Sequence, residues 1–129
     1  MEADRISGLI LRAPAFMIPE CARTGNILGK SFDPDHIPDS IPVIKGLELD
    51  GNYIRTAQTI HVEEAAERFA NPVLILHGDG DDTVPPEVSR RMAERYRNCE
   101  LVMMAGETHH FDRDPERMKE IIRNWLMKR

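Results

Sequence analysis

Pro72-Val73-Leu74-Ile75-Leu76-His77-Gly78-Asp79-Gly80-Asp81-Asp82-Thr83-Val84-Pro85 is the stretch whose reading decides the fold. Its first half is apolar without alternation. That is the pattern of a strand buried on both faces, as in a parallel sheet covered by helices. Its second half, Asp79 to Pro85, is an acidic loop. Pro86 suits the first turn of a helix, and Val88, Met92 and Tyr96 recur every four residues, so a helix is expected from Pro86 to about Arg97.

Working outward, Glu100-Leu101-Val102-Met103-Met104 reads as the next strand, followed by a loop from Ala105 to Phe111. A final helix is expected from Pro115 to Met127, with Met118, Ile121, Ile122, Trp125 and Leu126 on one inward face. A short helix, Val62 to Phe69, precedes the decisive strand. Strand, helix, strand, helix implies a parallel sheet with right-handed crossovers. Near the amino end, the apolar run Ile6 to Leu11, stopped by Pro14, reads as one more buried strand. Between Ile18 and His61 the prolines at 19, 34, 38 and 42 argue against long helices and central strands. That block reads as loop, with short strands at Val43–Ile44 and around Tyr53–Ile54. Its scattered Phe32, Ile37, Ile41, Val43, Leu47, Leu49 and Tyr53 argue for an ordered insertion.

The chain has 129 residues, enough for one domain with a core of its own. With 41% hydrophobic and 30% charged residues it reads as globular and not disordered. The net charge of −5, without a long Lys/Arg run, speaks against nucleic acid and against anionic membranes as partners. Cys21 and Cys99 lack Cys or His neighbours at metal-ligand spacing, so no metal site is expected and two reduced thiols are. The run Ile6 to Leu11 is too short for a signal peptide or a membrane span. A cytoplasmic location is the expectation.

Chemistry in open parallel sheets gathers in loops at the carboxyl ends of strands. Two such loops end in titratable residues: Asp79, Asp81 and Asp82 after the first strand, His109 and His110 after the next. Adjacent strands would bring them together. An Asp beside a His fixes the imidazole tautomer and stabilises the imidazolium. The same residues also fit an Asp that only caps the following helix and a His without a role. Asp79 suits hydrogen bonds to loop amides and Asp82 a solvated position. His77 is expected to pack or bond at the strand end, and His36 and His61 to lie on the surface. Cys21 is expected to be a small buried hydrophobe.

The segment Pro72 to Pro85 resembles the acid-bearing segment of α/β-hydrolases: apolar strand, His-Gly, two residues, Asp, two more, Val-Pro. Gly106-Glu107-Thr108-His109-His110-Phe111 is similar to that family's final loop, where a Gly precedes the catalytic His. The resemblance assigns Asp81 as the acid and His109 as the base. It covers nearly the whole chain. Within the family the likeness is greatest to bacterial cinnamoyl/feruloyl esterases. It is carried by Ile6 to Phe16, Phe32-Asp33-Pro34, Ile37 to Pro42 and Asn98 to Val102. The resemblance implies a partial α/β-hydrolase fold: carboxy-terminal strands and helices of a parallel sheet over residues 1–129, with 27–62 as a loop-rich lid. It implies hydrolysis of small-molecule hydroxycinnamic esters without metal or organic cofactor, with Phe32, Ile37, Tyr53 and His110 at the substrate.

One departure is large. The family's nucleophile sits in Gly-x-Ser-x-Gly, ahead of the Asp and His in chain order. Here the serines are Ser7, Ser31, Ser40 and Ser89, and none lies between glycines at that spacing. The expectation is therefore the carboxy-terminal part of a serine hydrolase, inactive by itself. The alternative is a non-catalytic truncated fragment that self-associates through an exposed sheet edge, or complements a chain carrying the amino-terminal half.

Overall fold

The computed structural model describes residues 5–129. They form two compact units: residues up to Ala15 together with Glu63–Arg129, and Phe16–Val62.

The first unit holds a three-stranded parallel sheet in the order β1-β6-β7: β1 (Leu9–Arg12), β6 (Val73–Gly78) and β7 (Cys99–Met104). Leu9 pairs with Val73 and Arg12 with Leu76, while Val73 pairs with Cys99 and Gly78 with Met104. All six residues of β6 are buried, as its unbroken apolar run implies. The expected strand at Ile6–Leu11 is shorter and later, and it is half-buried, with burial alternating along Leu9–Arg12. Among the described residues it pairs with β6 on one side only, so one hydrogen-bonding edge stays open.

Side chains alternate across a strand. Leu74 and Leu76 point to the face covered by the helix α5 (Pro115–Met127), where they meet Ala13, Met104, Phe111, Met118 and Trp125. Each fully buried leucine contributes about 1.5–3 kcal/mol relative to an exposed one. Asp114 caps α5, its carboxylate accepting from the Arg117 N–H, and Pro115 takes the first turn. Met118 and Trp125 are buried, Ile121 and Ile122 partly so, but Leu126 is 52% exposed and lies off the packed stripe. The helix α4 (Pro86–Ala93) packs on β6 and β7, and its Ser89 meets His77 from the opposite face of β6. It ends before the expected Arg97. Arg95 and Arg97 bond to Glu67 of the helix α3 (Val62–Arg68), and Tyr96 stands edge-on to Phe69, which draws the chain out of the helix.

The second unit is more regular than its prolines suggest. It contains α1 (Ile18–Thr24), a hairpin of β2 (Asn26–Ile27) and β3 (Lys30–Ser31), a hairpin of β4 (Ser40–Ile44) and β5 (Leu47–Asp50), and α2 (Gly51–Gln58). Pro19 sits in the first turn of α1, where no amide is needed, and Pro42 lies in a two-stranded ribbon. Tyr53 and Ile54, expected in a strand, belong to α2. Asp50 caps that helix by accepting from the Asn52 N–H, and Ile54 and Ala57 form its inner face. These two meet Ala22, Ile27 and Ile41 in a small core, with Phe32, Ile37, Val43 and Leu49 packed against it. The compact unit containing the expected 27–62 insertion thus runs Phe16–Val62.

Candidate active site

β6 and β7 are neighbours, so the loops at their carboxyl ends meet within the first unit. The contact is close at Gly78, where a Cβ would run into the Glu107 carbonyl, and the Gly80 N–H donates to that same carbonyl at 3.0 Å. Asp79 Oδ1 accepts from the Gly106 N–H at 2.6 Å, so the acid expected to bind loop amides does so across the two loops.

Asp81 is held by its own turn. One carboxylate oxygen, Oδ1, accepts from the Thr83 and Val84 N–H groups, both at 2.8 Å. The other, Oδ2, lies 2.8 Å from His109 Nδ1. The Asp81 side chain is 0% exposed and the His109 ring 28%. Burial pushes the Asp81 carboxyl up. The Val84 N–H, the His109 ring and the Thr83 N–H outweigh it and hold the group below its ordinary value, so it is a carboxylate at neutral pH. A carboxylate only accepts. His109 Nδ1 therefore carries a proton, and Nε2 is the nitrogen left to take one from a reacting group.

The loop bearing His109 is fastened by a residue that the sequence did not single out. Glu107 is 1% exposed. Its Oε1 accepts from the Thr108 and Arg113 N–H groups, each at 3.0 Å, and its Oε2 from the Asp114 N–H at 2.9 Å. The carboxylate thus ties the start of the loop to the cap of α5. Burial pushes this carboxyl up as well, and the amides of Arg113, Thr108 and Asp114 bring it below its ordinary value. Nothing near Glu107 in sequence separates it from a solvated loop acid; an acid six and seven residues ahead of two amides at a helix start is the only signal. Phe111 closes the loop in the left-handed region, φ +54°, buried beneath the Arg12 guanidinium at 5.6 Å.

The remaining candidates belong to both units. His110 is exposed, with its ring edge-on to that of His109 at 5.5 Å. Phe32 and Ile37 pack against the core of the second unit, and Tyr53 is 49% exposed on α2. His77 is buried and bonds Ser89 Oγ at 2.6 Å, which commits that serine, while Ser7, Ser31 and Ser40 are exposed. Asp82 and the histidines His36 and His61 are exposed. Cys21 is half-buried against the second unit's core. Burial and Glu100 push the Cys99 thiol up to about 11, so it offers no thiolate nucleophile. Among the described residues, no group of three or more His, Cys, Asp or Glu side chains is placed to share a metal ion.

The family model of TAP-like proteins, an α/β-hydrolase family, matches residues 51–128. The chain belongs to this α/β-hydrolase family. Est1E from Butyrivibrio proteoclasticus superimposes on the α/β-hydrolase chain with a TM-score of 0.94 and 46% identity, over 99% of this chain and 53% of Est1E. A structure of Est1E with ferulic acid bound gives a TM-score of 0.93 at 46% identity, over 99% of this chain and 51% of that one. The chain therefore spans about half the length of Est1E. Alpha/beta hydrolase domain-containing protein 10 from mouse shares the fold, with a TM-score of 0.73 at 14% identity, over 98% of this chain and 54% of that one. No curated protein sequence matches the chain.

Proposed function

We propose that the chain supplies the acid and the base, Asp81 and His109, of a serine-dependent carboxylic-ester hydrolase acting on feruloyl- or cinnamoyl-type esters. The observation that carries this reading is the 2.8 Å pairing of His109 Nδ1 with the buried Asp81 carboxylate. In the reaction, His109 Nε2 takes the proton of an attacking serine hydroxyl and later returns it to the leaving alcohol. Asp81 holds the ring in the Nδ1–H tautomer and stabilises the imidazolium that forms between the two transfers. The substrate class rests on the 46% identity to Est1E, whose structure holds ferulic acid. His110, whose ring stands beside that of His109, is the side chain of the first unit proposed to face the substrate. The cytoplasm is the proposed location.

None of the four serines lies in a Gly-x-Ser-x-Gly turn, and the buried one is bonded to His77. The nucleophile is thus assigned to a segment other than these 129 residues. The purified chain should leave methyl ferulate intact and take no label from a fluorophosphonate. Joined to the amino-terminal half of Est1E, it should hydrolyse the ester and become labelled. Turnover by the chain alone, with one of its own serines labelled, would overturn the assignment.

A second reading has an observation in its favour: among the described residues β1 pairs on one side only, and the chain spans about half of Est1E. In this reading the chain acts by association, through that edge, with a copy of itself or with a chain carrying the other half. Sedimentation separates the two, since a stable monomer at all concentrations, with and without the other half, rules out association.

A further inference from the structure

We infer that His77 is a positioning residue for the Asp81–His109 pair, acting from the core side of the Asp81 turn. The inference rests on the catalytic reading of that pair. His77 sits on β6 and is 0% exposed. Its two ring nitrogens have different partners. Nε2 lies 2.9 Å from the Val84 carbonyl oxygen, and Nδ1 lies 2.6 Å from Ser89 Oγ. A carbonyl oxygen only accepts, so Nε2 carries the proton. The Ser89 hydroxyl, both donor and acceptor, is the partner of Nδ1. Strand β6, the turn and α4 are thereby joined through one imidazole.

The consequence falls on Asp81. Val84 is used at both ends: its carbonyl accepts from His77, and its N–H donates to Asp81 Oδ1 at 2.8 Å. Holding Val84 therefore holds the oxygen that orients the carboxylate. His77 Nε2 also lies 3.2 Å from Asp81 Oδ2, the oxygen that receives the His109 bond. The Nε2 edge of the His77 ring thus lies beside the buried carboxylate while its N–H is directed to the Val84 carbonyl. A histidine that merely filled space at the strand end would need neither partner. The chain of contacts runs Ser89, His77, Val84 and Asp81, then His109.

Nitrogen-15 NMR of the ring nitrogens tests this in the full chain, without any need for ester hydrolysis. Failure of the esterase reading and failure of this inference are thus told apart. His77 should show a ring protonated at Nε2. A ring protonated at Nδ1 alone overturns the inference. The second readout is exchange of the His109 Nδ1 proton. His77→Leu keeps bulk and removes the donor, and should speed that exchange at least about tenfold, the factor a buried hydrogen bond carries. His77→Gln places an amide N–H toward the Val84 carbonyl and should restore it to within about threefold. A folded His77→Leu variant with unchanged His109 exchange overturns the inference. If His77→Leu does not fold, the wild-type tautomer and the His77→Gln variant decide, and a folded His77→Gln variant that loses the His109 proton counts against it.

Discussion

Gly78→Ala probes the junction on which the candidate site depends. Gly78 pairs with Met104 at the end of the sheet, and the Glu107 carbonyl occupies the space a Cβ would need. The obstacle is backbone, not the flexible end of a side chain, so the loop from Gly106 to Thr108 has to retreat. Overpacking of this kind costs about 1–3 kcal/mol. The retreat also breaks the Gly80 N–H bond to the Glu107 carbonyl, now 3.0 Å, at about 1 kcal/mol. Together the loss is about 2–4 kcal/mol, which lowers a urea midpoint by about 1–2 M. Trp125, the one tryptophan, is buried against the sheet and reports the transition by fluorescence. Because His109 follows Glu107 by two residues, its Nδ1 proton signal should weaken in the same variant. Gly106→Ala is the control. Gly106 has φ +73° with open space around its α-carbon, so the cost is left-handed strain alone, about 1–2 kcal/mol. A Gly78→Ala variant with wild-type stability and an undisturbed His109 proton would refute the argument that this close approach sets the site.

Two further outcomes follow from the structure. The Asp81 and Glu107 carboxyls are held below ordinary values of 3.8 and 4.5, so the stability they contribute is full above that range and is lost as pH falls through their depressed values. Acid unfolding followed by Trp125 fluorescence should therefore be shallower in Glu107→Gln than in wild type, and equal acid limbs would contradict the loop-clamp role. In the second unit, Ile54→Lys should unfold residues 16–62, while Tyr53→Lys stays within about 0.5 kcal/mol, as circular dichroism and proteolysis would show. Equal tolerance at both positions would contradict the inward face of α2.

The parts of the fold that the sequence revealed are those whose signal is local. β6 opens on the unbroken apolar run Val73–Leu76 because both of its faces are covered, and α5 shows its buried stripe through Met118 and Trp125. Asp81 and His109 were visible for a topological reason: they end neighbouring parallel strands. What stayed hidden depends on contacts distant in sequence. α4 stops early because Arg95 and Arg97 reach Glu67, far back along the chain. Glu107 looks like any loop acid until the loop folds back onto it. Tyr53–Ile54 is helix and not strand: the Asp50 cap and the Ile54–Ala57 spacing carry it, a local signal placed among prolines. Pro19 and Pro42 sit where a missing amide costs nothing, so they interrupt little.

The central claim is that Asp81 and His109 act as one acid–base pair. Ester hydrolysis by the chain joined to the amino-terminal half of Est1E, compared with its Asp81→Asn and His109→Ala forms, tests it most directly. Asparagine keeps the acceptor for Thr83 and Val84 but turns an amide N–H toward His109 Nδ1, which selects the wrong tautomer. Each variant should lose about 10³–10⁴-fold in kcat with KM little changed. Activity within a few-fold of the parent, in a variant that still folds, would contradict the account.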